Sequence, residues 1–440
     1  MAVKAPLFKV FTYGSLRPLK RGQKVRVPFG GKRISSGVIL DQDAKGSERS
    51  DIKSVLQVMD LPPLSEERLQ WLEWLSGYYH YPLGLVMDLS FPFRLQKKSS
   101  SAKDAEIVNS ESEDSNTSFI GKFKWQRQED FSNKSVLPTA DKEYKALLHA
   151  GQKKEGKNSV FQEGSDNSFS DGNFCLMEEQ EQCVRSVLGK RGFQPHLLYG
   201  VTGSGKTEIY KALTEDFLSH GKQVLILLPE IFLTPQIVER FSGKFPDQVA
   251  VWHSDLTARQ KTTAWFDLAT QRKNILIGTR SALFCPLPRL GLIVVDEEHS
   301  PSFKQETRFQ YHARDSAIML ARFSDIPILL GSATPSLDSW FQAQRGMYQI
   351  HYLKRRAFKQ PLPEVHVVDL RKAPRKDKIF WLSEALYLKI KETLEKKKQA
   401  ALFLNRRGQA GALICSHCGY VKYCKNCDIA LSLHSSDYLL

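Results

Sequence analysis

The segment with the clearest chemistry comprises Gly200, Val201, Thr202, Gly203, Ser204, Gly205, Lys206 and Thr207. It fits the pattern G-x-x-x-x-G-K-[ST], and it stands between an apolar strand and a predicted helix, as a phosphate-binding loop requires. Glycines let the backbone amides face phosphate oxygens, and the helix N-terminus adds positive potential. We therefore expect Lys206 to reach the β- and γ-phosphates of ATP and the Thr207 hydroxyl to bind Mg²⁺.

A second candidate site is LIVVDEEH (Leu292–His299), an apolar strand that ends in acidic residues. Ligands bind at the carboxyl edge of such strands in open α/β folds. Asp296 is predicted to hold Mg²⁺, directly or through water, and Glu297 to act as general base on the attacking water. Taken alone, the segment also fits a solvated acidic turn.

The next strand ends in GSAT (Gly331–Thr334). Ser332 and Thr334 could couple the phosphate state to movement of the sheet, although Ser and Thr are common at turns. His299 could link the acidic residues to that strand. A structural histidine is the alternative.

The segment that follows the acidic residues interleaves aromatic and basic side chains. Stacking on bases is predicted for Phe303, Phe309 and Tyr311, and phosphate contacts for Lys304, Arg308 and Arg314. This mixture suits single strands of nucleic acid, whereas aromatic packing in a core is the alternative. Thr279 and Arg280, at the end of another strand, are predicted to contact the DNA backbone.

The charge of the chain points to the same class of partner. Its 440 residues include 63 Lys and Arg against 48 Asp and Glu, which gives a net charge of +15 and a pI near 9.3. A basic surplus of this size favours nucleic acid, although a basic surface without a partner would also explain it. No apolar run is long enough for a membrane span, and the first residues are not a convincing secretion signal.

The order of elements predicts an α/β protein of several units. Residues 1–95 are predicted to form one compact β-rich unit, and 96–173 is a polar stretch. Apolar strands alternate with helices over 174–350, which predicts a parallel sheet covered on both faces. A second such unit is predicted to begin within 351–440, through strands at VHVVDL (Val365–Leu370) and ALFLN (Ala401–Asn405).

Four of the seven cysteines form two CxxC pairs, Cys415 with Cys418 and Cys424 with Cys427. Without a secretion signal, this clustering favours Zn²⁺ ligation in a reducing compartment over disulfides.

The phosphate loop, DEEH and SAT follow one another as in superfamily 2 helicases. Within that superfamily, GVTGSGKTE, PEIFLTPQ, IGTRSALFCPL, DEEHSPSFKQETRFQYHARD, GSATPSL and LFLNRRG resemble the PriA family of primosomal replication-restart helicases. The resemblance is dense from Leu176 onward and thinner over residues 7–95.

The resemblance implies a 3′-to-5′ DNA helicase that recognises branched DNA at stalled forks and promotes primosome assembly. It implies that the protein is cytoplasmic and associated with the nucleoid. The implied partners are branched and single-stranded DNA, primosome proteins and single-stranded-DNA-binding protein. It also implies that Gln180 contacts the base of ATP and that residues 300–315 couple DNA contact to hydrolysis.

For the domains, the resemblance implies a small β-rich DNA-binding domain at 1–95 and a polar linker with a degenerate winged-helix module at 96–173. It further implies a RecA-like motor lobe at 174–350 and the start of an incomplete second lobe, with a cysteine-rich zinc-binding insertion, at 351–440.

The chain departs from the family pattern at four places. Only four of the eight family cysteines are present, and most of the second motor lobe, which supplies arginines to the nucleotide cleft, is absent. Thr12 stands where many members of the family have an acidic residue. The neighbouring Tyr13 could stack on a base or pack in a core. The winged-helix stretch is polar and low in complexity. Two alternatives to a helicase therefore stay open, a catalytically silent fork-binding protein and a P-loop ATPase without nucleic acid.

Overall fold

The computed structural model of the chain describes residues 1–31, 33–41, 52–91, 176–233, 235–356, 364–374, 376, 382–403, 415, 418, 420–423, 433–435 and 438–439. Two compact units are present, Met1–Lys359 and Gln360–Leu440. The linker and winged-helix module predicted for 96–173 lie outside the described residues, so those boundaries remain a prediction.

A small antiparallel sheet begins the first unit. In the spatial order β1-β3-β2-β4, it contains β1 (Ala2–Val3), β2 (Lys24–Pro28), β3 (Ile34–Val38) and β4 (Gln57–Val58). Strands β2 and β3 form an antiparallel hairpin, in which Val25 pairs with Gly37 and Pro28 with Ile34. Val25 and Val27 are fully buried on one face of the sheet.

Two helices follow this sheet, α1 (Glu66–Tyr78) and α2 (Leu83–Asp88). Ser65 caps α1, because its hydroxyl accepts a hydrogen bond from the amide of Arg68. The apolar residues of α1 recur at helical spacing, so Leu69, Leu72 and Leu75 share one buried face.

A parallel sheet of seven strands forms the body of the first unit, in the order β11-β5-β10-β9-β6-β8-β7. The strands are β5 (Gln194–Gly200), β6 (Gln223–Leu227), β7 (Val249–Trp252), β8 (Ile275–Gly278), β9 (Leu290–Asp296), β10 (Pro327–Ser332) and β11 (Gln349–Leu353). The predicted α/β fold with a parallel sheet is confirmed. Because β11 pairs with β5 through Leu353, the sheet continues past the predicted boundary at residue 350.

Helices cover both faces of this sheet. They are α3 (Glu178–Leu188), α4 (Lys206–Ser219), α5 (Pro235–Lys244), α6 (Ala258–Ala269), α7 (Ala313–Phe323) and α8 (Leu337–Gln344). Along β6, Val224 and Ile226 pack with the cluster under α3 and α4, whereas Leu225 and Leu227 pack with the cluster under α7. Burial on both faces explains why these strands are continuous apolar runs in the sequence.

Helix α1 joins the N-terminal domain to this lobe. The buried guanidinium of Arg68 donates to the carbonyls of Leu283 and Cys285, at 2.6 and 2.8 Å. The indole of Trp71 donates to Ser316 O on α7 at 2.9 Å. Burial lowers the pKa of Arg68 to about 10, so the guanidinium keeps its charge at neutral pH.

The described part of the second unit contains α9 (Glu384–Glu395) and the short strand pair β12 (Leu433–Ser435) and β13 (Tyr438–Leu439). The prediction of a strand at Val365–Leu370 is wrong, since these residues form no strand and Val367 is 93% exposed. An apolar run becomes a strand only when a neighbour satisfies its backbone hydrogen bonds. Ala401–Phe403 likewise forms no strand, and residues 404–405 lie outside the described part.

Candidate nucleotide and nucleic-acid site

The glycine-rich segment forms the turn between the end of β5 and the start of α4. Gly203 and Gly205 both have φ of +80°, a left-handed conformation that favours glycine. The amide of Ser204 closes the turn on Val201 O at 3.0 Å. No side chain caps α4 at Gly205, so the helix N-terminus is open to an anion.

Lys206 lies between the loop and the acidic end of β9. Its ammonium donates to Gly200 O at 3.3 Å and lies 3.5 Å from Glu297 Oε1. The fold thus brings together the two sites that the sequence separates by about ninety residues. A phosphate entering the loop would meet the lysine charge and the helix N-terminus at once.

Gln180 is almost fully buried, and its amide group holds the loop in place. Its Nε2 donates to Ser204 O, and its Oε1 accepts from the amide of Met177, both at 2.9 Å. The predicted contact with a base remains a prediction. What the structure gives is a tie between α3 and the phosphate loop.

Asp296 is the last residue of β9, and Glu297 follows with φ of +47°. The Tyr210 hydroxyl donates to Asp296 Oδ1 at 2.7 Å. Burial raises the pKa of Asp296, an effect that the Tyr210 hydrogen bond and the charge of Lys206 oppose.

The residues predicted for coupling lie beside Glu297. His299 Nδ1 lies 2.7 Å from Ser332 Oγ and 3.6 Å from Glu297 Oε2, and its Nε2 lies 3.4 Å from Thr334 Oγ1. One imidazole therefore contacts both the acidic end of β9 and the end of β10. The proximity that coupling needs is present, and the coupling itself stays a prediction.

The donor set suits Mg²⁺ and a nucleotide. Asp296 offers a carboxylate and Thr207 a hydroxyl, the hard oxygen ligands that Mg²⁺ prefers. Ser204 is fully buried in the loop, and its hydroxyl has no hydrogen-bond partner among the described residues. An unpaired polar atom there is consistent with a loop shaped to receive polar phosphate oxygens.

Zinc ligation is not tested by the described residues. Cys415 and Cys418 are exposed, and Cys424 and Cys427 lie outside the described part of the chain. Within that described part, no group of three or more His, Cys, Asp or Glu could hold a metal ion.

The base-stacking role expected for Phe303, Phe309 and Tyr311 needs correction, because all three rings are buried in this structure. Phe309 packs against Tyr79 and Tyr81, with ring centroids 5.8 and 5.0 Å apart. The N-terminal domain thus covers the ring of Phe309. Interleaved charges suggested an exposed loop, but the rings are buried, and the exposed basic side chains are those of Lys304 and Arg308.

Arg314 also needs correction, because it is buried in an ion-pair network. Its guanidinium donates to Glu298 Oε2 at 3.0 Å and to Asp315 Oδ1 at 2.8 Å. The fully buried Glu298 also accepts from the Ser336 amide and the Ser339 hydroxyl. Sequence reasoning missed Glu298, although a third acidic residue beside a buried strand signals a need for a basic partner.

The remaining predicted DNA contacts differ in exposure. Lys304 and Arg308 are exposed, whereas Thr279 is buried. Arg280 donates to Ser302 O at 2.8 Å and so holds the aromatic segment. Tyr13 is half-buried, and its hydroxyl donates to Pro28 O at 3.0 Å.

Comparison with known proteins follows the same division of the chain. Residues 1–92 match the model of the PriA 3′ DNA-binding domain, and residues 177–340 match that of the DEAD/DEAH box helicase. The replication restart protein PriA of Haemophilus influenzae is 35% identical over 462 residues, covering 100% of this chain and 63% of its own length. The PriA protein of Bacillus subtilis is 41% identical over 301 residues, covering 67% of this chain and 37% of its own length.

A third relative, the PriA protein of Synechocystis, is 45% identical over 264 residues, covering 59% of this chain and 32% of its own length. The chain thus spans less than two thirds of each of these relatives. Among solved structures, RecG bound to a three-way DNA junction aligns with a TM-score of 0.36 at 19% identity, covering 51% of this chain and 28% of that one. A match to the PriA 3′ DNA-binding domain thus stands ahead of a match to the DEAD/DEAH box helicase, and the chain is similar to PriA proteins over its whole length.

Proposed function

We propose that the chain supplies the DNA-binding domain and the first motor lobe of an ATP-dependent DNA helicase that acts in replication restart. The observation that carries the proposal is the meeting of Lys206 and Glu297, 3.5 Å apart, where the phosphate loop reaches the acidic end of β9. A lysine for phosphates beside a carboxylate for water is the arrangement that nucleotide hydrolysis needs.

In this proposal the loop amides and Lys206 bind the phosphates of ATP, while Thr207 and Asp296 hold Mg²⁺. The metal, when bound, neutralises charge on the transferred phosphoryl group. Glu297 takes a proton from the attacking water as the water oxygen bonds to the γ-phosphorus. The bond from the γ-phosphorus to the β–γ bridging oxygen breaks, and ADP leaves with the electron pair of that bond. His299, which contacts Glu297, transmits the change in protonation of Glu297 to Ser332 and Thr334 at the end of β10.

DNA would bind to the exposed basic groups of the segment after β9, chiefly Lys304 and Arg308, and to the N-terminal domain around Tyr13. Arg280 would hold this surface in place, because its guanidinium donates to the carbonyls of Ser302 and Lys304. Fork recognition, 3′-to-5′ movement, a zinc site at Cys415, Cys418, Cys424 and Cys427, and partners in the primosome are finer parts of the proposal that rest on the PriA relatives.

The test is ATP hydrolysis measured with and without a forked DNA, together with strand displacement on the same fork. We expect the chain to bind the fork and to hydrolyse ATP faster when the fork is present. Any strand displacement should require ATP that can be hydrolysed. Fork binding with no hydrolysis at all would favour a catalytically silent fork-binding protein instead.

A further inference from the structure

Tyr210 is a buried residue of α4 to which the nucleotide chemistry above gives no role. Its side chain is only 1% exposed, yet its hydroxyl reaches the carboxyl edge of the sheet and donates to Asp296 Oδ1 at 2.7 Å. A phenol hydroxyl is protonated at neutral pH and can therefore donate this hydrogen bond.

The space that the Tyr210 hydroxyl occupies exists because residue 331 is glycine. In the parallel pairing of β9 with β10, Gly331 lies directly opposite Asp296. A Cβ at position 331 would overlap the Tyr210 hydroxyl oxygen and would lie 3.1 Å from Asp296 Oδ1. The φ of Gly331 is not positive, so the glycine is required for space rather than for backbone conformation.

Asp296 is also the residue that the proposed function assigns to Mg²⁺. A ligating carboxylate binds metal well only when its plane is fixed, and a hydrogen bond to one oxygen fixes that plane. Because Tyr210 holds Oδ1, the other oxygen of Asp296, Oδ2, would be the one that holds the cation.

We propose that Tyr210 is a positioning residue for the magnesium site, which orients Asp296 through Oδ1, and that Gly331 is the glycine that makes room for its hydroxyl. This inference rests on the proposed function, because it needs Asp296 to be a magnesium ligand. It adds the glycine of GSAT, Gly331, and a tyrosine of α4, Tyr210, to the residues on which Mg²⁺ binding depends.

The experiment measures binding of a fluorescent, slowly hydrolysed ATP analogue to the 440-residue chain as Mg²⁺ is titrated. Tyr210→Phe removes the hydroxyl and keeps the ring. We expect the Mg²⁺ concentration for half-saturation to rise ~10–100-fold, the usual effect of losing an outer partner of a metal ligand. Affinity for the analogue in EDTA should stay unchanged, because the loop and Lys206 are intact.

The matched control is Tyr348→Phe, a half-buried tyrosine of the same lobe that lies outside the nucleotide site. It should leave the Mg²⁺ titration unchanged. Thermal unfolding of each variant reports whether the fold is kept. A general loss of packing would weaken binding in EDTA as well, which separates it from loss of orientation at Asp296.

Gly331→Ala provides a second test that depends on the overlap with the hydroxyl. Alone, it should weaken Mg²⁺ binding at least as much as Tyr210→Phe does. Combined with Tyr210→Phe, it should add less than it costs alone, because the overlap with the hydroxyl oxygen is gone. The closest remaining neighbours of the new methyl group are Asp296 Oδ1 at 3.1 Å and the ring atom Cζ at 3.2 Å, which small shifts can relieve. Additive effects of the two substitutions would contradict the assigned role of Gly331.

The outcomes separate this inference from the proposed function. If wild-type chain bound the analogue without any dependence on Mg²⁺, the proposed function would fail. If wild-type binding depended on Mg²⁺ and Tyr210→Phe shifted half-saturation less than twofold, the positioning role alone would fail.

Discussion

Three acidic residues at the end of β9, Asp296, Glu297 and Glu298, are adjacent in the chain but have different surroundings. Asp296 is held by Tyr210, and Glu297 lies between Lys206 and His299. Glu298 is fully buried, and it is bound by Arg314 and by the residues that begin α8. Each of the three can therefore have a separate task, namely metal, water and a structural ion pair.

Glu297→Gln should separate nucleotide binding from hydrolysis. The amide keeps the size of the side chain but cannot take a proton from water, so turnover should fall ~10²–10⁴-fold. Affinity for ATP should be kept or improved, because Lys206 loses a competing carboxylate 3.5 Å away. Binding and hydrolysis are measured on one sample.

The matched control for this prediction is Glu215→Gln, at an exposed glutamate of α4 that pairs with Lys244. It should change neither quantity. Loss of ATP binding in Glu297→Gln would mean that Glu297 is structural and that the base lies elsewhere.

At the scale of elements, the neighbouring strands β5 and β11 each contribute one histidine to a buried pair. His196 Nδ1 lies 3.0 Å from His351 Nε2, and burial lowers the pKa of each imidazole to about 4 from an ordinary 6.5. The charge of one imidazole on the other also lowers the pKa of His196. Both rings are therefore neutral in the folded protein at neutral pH.

This pair should make the protein sensitive to acid. Below pH 6.5 the unfolded chain takes up protons that the folded chain refuses until about pH 4. The stabilisation is thus complete above pH 6.5 and is lost as the pH falls toward 4, by up to ~1.4 kcal/mol per pH unit for each imidazole.

Urea unfolding of wild type and His351→Gln between pH 7 and pH 4.5 checks this expectation. The variant should show a clearly shallower loss of unfolding free energy with falling pH. His220→Gln, at an exposed histidine, serves as control and should follow wild type. A variant with the wild-type slope would rule out the pair as the origin of acid sensitivity.

The strands of the lobe could be predicted from sequence because strands buried on both faces leave long apolar runs. The phosphate loop could be predicted because its pattern fixes backbone geometry as well as side chains. The burial of Phe309 could not, since the residues that cover it, Tyr79 and Tyr81, lie more than two hundred positions away. Arg314 and the nearby Arg308 look equivalent in sequence, and only the fold shows which one meets Glu298.

For the whole molecule, the net charge of +15 should appear as salt dependence of DNA binding. Contacts of Lys and Arg with phosphates release counterions, so affinity for single-stranded DNA should fall more than ~10-fold between about 50 and 200 mM salt. Lys304→Ala and Arg308→Ala should each reduce the log–log slope by ~0.7–1. Fluorescence anisotropy with a labelled oligonucleotide measures both.

Lys389→Ala, on α9, is the control for that experiment, because Lys389 already pairs with Glu392 on the same helix. It should leave the slope unchanged. A slope near zero for the wild-type chain would remove the polyanion as the explanation of the basic surplus.

The central claim is that this fold binds the phosphates of ATP at Gly200–Thr207. Calorimetric titration of ATP with Mg²⁺ into wild type, Lys206→Ala and Lys211→Ala tests it most directly, with fork affinity measured on the same samples. Lys211 lies on the same helix but pairs with Glu208. The account predicts that Lys206→Ala loses ATP binding and keeps fork binding, while Lys211→Ala keeps both. Binding of ATP by Lys206→Ala with wild-type affinity would contradict it.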